Sequence, residues 1–306
     1  MKNTAKSSRP SSGRKHGPDR AWEGTRTKSG RDFAWSKEKK TATRHEPAKK
    51  TRVPKPAGKS GKQPETDSQD GIRLNKYIAN SGLCSRREAD TYISTGLVSI
   101  NDKIITELGT KVYPGDVVKF NGETIRNEKK VYIVMNKPKD FVTTVSDPHA
   151  KDTVVGLVKD KCTARVFPVG RLDKATTGVL LLTNDGDLAD KLMHPSYEKK
   201  KIYHVFLNKK LKSTDMAALL NGIELEDGFI KADNISYIDN DETQAGIEIH
   251  SGRNRIIRRM FEHLGYKIKK LDRVYFAGLT KKKLRRGQWR FLEESEIAML
   301  KMGSYE

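Results

Sequence analysis

The stretch Gly170-Arg171-Leu172-Asp173-Lys174-Ala175-Thr176-Thr177-Gly178-Val179-Leu180-Leu181-Leu182-Thr183-Asn184-Asp185-Gly186 sets one carboxylate between two apolar runs. Residues 166–169 precede it and residues 179–183 follow it. Both runs are short and bounded by Gly, Pro or Asn-Asp-Gly, which is the pattern of buried strands. Asp173 therefore falls on a strand-end loop beside Arg171 and Lys174, a place where catalytic side chains are commonly carried. An isolated loop Asp is more often a turn or cap residue. The residues alone leave both readings open.

Outward from this loop, residues 131–135 read as a strand ending in the turn Asn136-Lys137-Pro138. Residues 188–193 form a short helix stopped before Pro195. Lys201–Leu207 alternates as a strand that carries Tyr203, and residues 245–249 alternate again. Residues 216–220 are helical. Ile256, Ile257, Met260, Phe261 and Leu264 make one helical stripe over residues 254–264. Strands mixed with helices, without regular βαβ spacing, predict an α+β domain over residues 130–300. Its sheet is expected to be mixed and largely antiparallel, flanked by helices and loops.

Residues 71–125 form a smaller unit. Leu74, Tyr77 and Ile78 have helical spacing, and Ser85 with Glu88 makes a capping box for a second helix, with Gly96 as its stop. Strands are expected at Val98–Ile100 and at residues 104–105 and 117–120. Arg73, Lys76, Arg86 and Arg87 lie on or beside the helices, a basic edge suited to an RNA backbone. Residues 1–70 differ from both units. They hold 19 basic and 8 acidic residues and almost no aliphatic ones. Such a segment cannot bury enough apolar surface to offset its chain entropy, so a disordered basic tail is expected. It is either a solvated linker or a non-specific RNA tether. Gly58-Lys59-Ser60 is not a phosphate loop, because Val53 stands where the upstream glycine must be.

The 306 residues carry a net charge of +21, which points to a polyanionic partner, nucleic acid first. No apolar run approaches the roughly 20 residues of a membrane span, and the N-terminus has no apolar signal segment. Cys84 and Cys162 lie apart with no CxxC pair, so reduced thiols in a cytoplasmic protein are expected. GxSxG, HExxH and GxGxxG motifs are absent, and the seven histidines are scattered. A triad or a metal site is not expected.

Two resemblances then emerge. Arg73-Leu74-Asn75-Lys76-Tyr77-Ile78-Ala79, Ser85-Arg86-Arg87-Glu88-Ala89 and Gly96-Leu97-Val98-Ser99-Ile100-Asn101-Asp102 resemble an S4 domain, an RNA-binding module. The segment 170–186 resembles the signature of the RsuA/RluB family of pseudouridine synthases. Further matches follow in the family's order at 131–138, 201–205, 252–261 and 285–290. The sequence departs at Ala175, where relatives often carry Asp, and at Ile256, where many carry Gln.

The resemblance implies an rRNA pseudouridine synthase, most like the type that acts on large-subunit (23S) rRNA. Asp173 is then the catalytic carboxylate, Arg258 its ion-pair partner, and Tyr203 the residue that stacks under the uracil and helps remove the C5 proton. Arg171 is expected to contact RNA beside the flipped base, and Arg253, Arg255 and Arg259, gathered at one helix end, are expected to hold phosphates. Whether Asp173 attacks C1′, attacks C6 or promotes loss of a ribose proton stays open. The reaction is an isomerisation, so no cofactor is expected. The partner is ribosomal RNA or its assembly intermediate, and a monomer suffices. The competing reading is a non-catalytic S4-containing RNA-binding or ribosome-assembly factor. If the tail is a tether, deleting residues 1–70 weakens RNA binding and flattens the dependence of log Kd on log salt. Titrations of both chains at several salt concentrations check this, and equal slopes would make the tail a linker.

Overall fold

A strand run that is apolar on both faces must be covered on both faces, and two such runs organise the larger domain. The computed structural model describes residues 71–145 and 151–304, so the expected tail lies outside the described residues. In the S4 module, α1 (Leu74–Asn80) and α2 (Arg86–Ser94) pack on a small sheet of β1 (Val98–Ile100), β2 (Lys103–Ile104), β3 (Val118–Phe120) and β4 (Glu123–Thr124), in the order β2-β1-β3-β4. The capping box forms as read: the Ser85 side chain accepts from the Glu88 amide, and the Ser85 amide donates to the Glu88 carboxylate. Leu74, Ile78, Ala89, Ile93 and Val98 fill the core between helices and sheet.

The larger domain is built on β5 (Tyr132–Lys137), β6 (Thr176–Thr183), β7 (Lys201–Leu207), β8 (Ile223–Leu225), β9 (Gly228–Ile230), β10 (Asn234–Ile238), β11 (Asp241–Ile249), β12 (Ile268–Phe276) and β13 (Trp289–Phe291). The main sheet runs β10-β11-β7-β12-β6-β5-β13, while β8 and β9 form a separate hairpin. Every residue of β5 and β6 is buried. One face packs on α3 (Gly186–Met193) and α6 (Glu294–Met302) through Val134, Val179, Leu181, Leu188 and Leu300. The other face lies under residues 154–172, through Ile133, Met135, Val158, Val166 and Leu180. The second half of the sheet has one covered face, closed by α4 (Ser213–Asn221) and α5 (Ile256–His263) through Leu219, Ile257, Met260 and Phe261. This matches the alternation read in β7 and β11.

The two halves meet at the parallel pairing of β6 with β12, where Leu271, Asp272 and Arg273 lie opposite Thr176, Thr177 and Gly178. Gly178 has φ +112°, and a Cβ there would stand 2.1 Å from the Arg273 carbonyl oxygen. Only glycine permits this approach. Asn184 and Asp185 do not form a hairpin turn. Asn184 Oδ1 accepts from the Val131 amide at 2.8 Å, and Asp185 caps α3. Strand β12 and helix α6 show no clear period in the sequence.

The Gly178→Ala variant combines backbone strain with an overpacked strand pair. It should lose about 2–5 kcal/mol of stability, read as a lower urea midpoint with an unchanged slope.

Candidate active site

The loop between residues 170 and 176 takes its shape from neighbouring backbone and side chains. Gly170 adopts φ +73° and the Leu172 side chain is buried. Thr143 Oγ1 donates to the Leu172 carbonyl at 2.7 Å and accepts from its amide at 3.3 Å. The Thr176 amide donates to the Asp173 carbonyl at 2.9 Å. With the chain pinned on both sides, the Asp173 side chain projects to a surface where it stays 34% exposed.

Two guanidinium groups face that carboxylate. Arg258 Nε lies 3.6 Å from Asp173 Oδ2, and Arg255 Nη1 lies 3.6 Å from the same oxygen. Arg258 comes from the first turn of α5, with its side chain largely buried. Its Nη2 reaches Thr176 Oγ1 at 3.4 Å, while its buried Nε has no hydrogen-bond partner among the described residues. Arg255 sits just before the helix with φ 47°. That conformation is uncommon for a side-chain-bearing residue, and here it places a cation at the site. The residues thus give an accessible oxygen nucleophile or base between two fixed positive charges.

Beneath the loop, the side chain of Lys137 is fully buried. Its Nζ donates to the carbonyls of Thr176 (2.9 Å), Pro138 (3.1 Å), Asp173 (3.2 Å) and Lys174 (3.4 Å). Burial pushes its pKa down to about 8, and the charges of Asp140 and Asp173 offset part of that effect. The ammonium ties both ends of the Asp173 loop together. The sequence reading took Asn136-Lys137-Pro138 as a turn only, because nothing in a sequence reports which carbonyls converge on a lysine.

Tyr203 is half-buried on β7 and packs with Leu172 in the same cluster. It lies opposite Arg273 in the β7–β12 register. Arg273 is buried, and its Nε donates to the Val179 carbonyl at 2.8 Å. Burial lowers its pKa, and Tyr203 opposes that shift. Sequence reasoning missed Arg273. No signal marks it in the sequence, because β12 shows no clear alternation.

Comparison with known proteins follows the same outline. Residues 131–263 match the family model described as RNA pseudouridylate synthase, and residues 72–118 match the S4 domain. Over 233 residues the chain is 39% identical to ribosomal large subunit pseudouridine synthase B of Bacillus subtilis, covering 75% of this chain and 95% of that one. It is also 39% identical to the dual-specificity RNA pseudouridine synthase RluF of Escherichia coli K12, covering 74% and 77% of the two chains. A crystal structure of a pseudouridylate synthase superposes with a TM-score of 0.55 at 29% identity, covering 75% of this chain and 99% of that one. The chain belongs to the RNA pseudouridine synthase family. It is an isomerase built of an S4 module followed by a synthase domain.

Four of the other basic residues expected at RNA have partners within the protein. Lys76 is ion-paired with Asp187, and Arg86 lies 3.7 Å from Asp190, so part of the S4 edge faces α3 of the synthase domain. Arg259 makes two hydrogen bonds to Asp227, and Arg253 donates to the Gly228 carbonyl at 3.0 Å, which ties both to the β8–β9 hairpin. Arg73, Arg87 and Arg171 are exposed.

Lys137 gives a pH test. Its folded pKa of about 8 lies below its value in the unfolded chain. Between about pH 8 and 10 the unfolded chain therefore binds more protons, and this site's contribution to stability rises with pH. Lys201 behaves alike, also pushed to about 8 by burial. The Lys137→Met variant should lose part of that rise in urea unfolding measured at pH 7.5 and 10. With the loop carbonyls unbridged, it should also make pseudouridine about tenfold more slowly.

Proposed function

We propose that this synthase converts a specific uridine of ribosomal RNA, in the large subunit, to pseudouridine, with Asp173 as the catalytic carboxylate. The observation that carries the reading is an accessible carboxylate held between Arg258 and Arg255 on a loop pinned by Lys137 and Thr143. The S4 module supports a structured RNA substrate, and the Bacillus relative's name supports the large subunit.

A uridine stacked in a helix cannot reach Asp173, so the nucleotide is flipped into the site. The ionised carboxylate then acts on the flipped nucleotide and releases the base from the ribose, and the base rejoins through C5. Arg258 holds the carboxylate in place. A shift of a few tenths of an ångström would turn its 3.6 Å approach into a hydrogen bond. Tyr203 offers its ring to the uracil and its hydroxyl for the C5 proton. Arg171 contacts RNA beside the flipped base. The protein acts as a cytoplasmic monomer; its two described cysteines are free and buried, in keeping with that reading.

Replacing Asp173 by Asn keeps shape and removes charge. Product formation should fall at least about 10³-fold while RNA affinity stays within about twofold. Turnover by this variant would remove Asp173 from the mechanism. Mapping pseudouridines in rRNA from cells with and without the gene tests the substrate, and an unchanged map would refute it.

A further inference from the structure

At the end of the sheet where β6 begins, a groove of about 550 Å³ opens beside the Asp173 loop. Ala175 and Thr177 form one wall. The rest includes Lys139, Arg258, Lys269, Lys270 and Arg286, and no lining residue is acidic. We infer that this groove is a phosphate track for the RNA strand that carries the target uridine, with Lys139, Lys269 and Lys270 as its contacts.

The argument turns on which cations are already committed. Arg258 faces Asp173. Arg286 and Lys281 both bind Asp272, leaving that group with one excess positive charge. Burial raises the Asp272 pKa, but those two hydrogen bonds outweigh it and hold the carboxyl below its ordinary range. Lys139, Lys269 and Lys270 have no carboxylate within ion-pair distance among the described residues, and all three are exposed. This contrasts with Lys76, Arg86 and Arg259, which have acidic partners. Exposed like charges that gather in one groove repel one another, and an anion relieves that repulsion.

The form of the groove selects the anion. It is open along three exposed lysines, which suits an extended polyanion better than a small one. Lys270 Nζ lies 4.5 Å from the Phe206 ring centroid, and Phe206 stacks on His204 at 4.1 Å. The ring supports the ammonium without neutralising it, and the aromatic pair borders the track as a surface for a base. Ala175 and Thr177 stand two and four residues after Asp173 in the chain, so a strand in the groove leads to the reactive carboxylate. Lysine contacts to phosphate carry no sequence information, so the track positions RNA while other parts choose the uridine.

The inference rests on the synthase reading, and the experiment separates the two. Full-length protein carrying Lys139→Ala, Lys269→Ala and Lys270→Ala together is compared with wild type on unmodified large-subunit rRNA transcribed in vitro. Kd is measured against salt, and pseudouridine formation under single-turnover conditions. The variant should melt as wild type and bind on the order of tenfold more weakly, with the log–log salt slope reduced by about two to three. Its rate at saturating RNA should be unchanged within about twofold. A folded variant with wild-type Kd and slope overturns the track. So does a variant that loses saturating rate but keeps affinity, which would place these lysines in the chemistry. If wild type makes no pseudouridine in any rRNA, the functional reading fails, and the salt slopes still decide the groove.

Discussion

The close approach of Gly178 to the Arg273 backbone is the constraint on which the site depends. It lets β6 and β12 pair in parallel and join two half-sheets with separate cores. One half carries the Asp173 loop at the start of β6. The other carries Tyr203 on β7 and Arg258 on α5. A side chain at position 178 would push the halves apart and move Arg255 and Arg258 away from the carboxylate. Lys137 lies directly opposite Gly178 in the β5–β6 pairing. Strand β6 therefore pairs on its two sides with the strands that carry the two buried cations beneath the site.

Burying Lys137 and Arg273 without a carboxylate partner costs free energy that backbone carbonyls only partly return. A core built for stability alone would use apolar residues there. Lys137 instead gathers four carbonyls around the Asp173 loop, and Arg273 lies opposite Tyr203 and binds the Val179 carbonyl. The cost falls where preorganisation is worth most, at a loop whose reactive group must be rigid and still accessible.

Charge is distributed by the same logic. A net +21 draws the synthase to RNA at long range. At short range, several cations are taken up by the protein's own acids. Lys76 and Arg86 face Asp187 and Asp190, which sets the S4 module against the synthase domain, and Arg253 and Arg259 brace a hairpin. Exposed pairs of this kind contribute little stability, about 0–1 kcal/mol each. Their effect is to fix where positive charge stays available.

The sequence by itself determined the order of modules, the capping box at Ser85, the buried strand that follows Asp173 and the apolar stripe of α5; the run at 166–169 before it forms a strand only at Phe167 and Pro168, which are half-buried. Each is a local pattern of spacing and capping. It also singled out Asp173, Tyr203 and Arg258, through motifs in a recognisable order. The tertiary structure alone decided what these residues meet. Arg255 was expected on a phosphate, and its left-handed backbone turns it toward Asp173. Lys137, read as part of a turn, became the tie beneath the loop. Arg273, Lys269 and Lys270 lie on β12, whose pattern shows no clear period. Ion pairs and convergent carbonyls join residues far apart in the chain: Lys137 and Asp173 are 36 positions apart, Lys76 and Asp187 111. Such contacts leave no periodic trace, because they depend on how the sheet brings distant strands together.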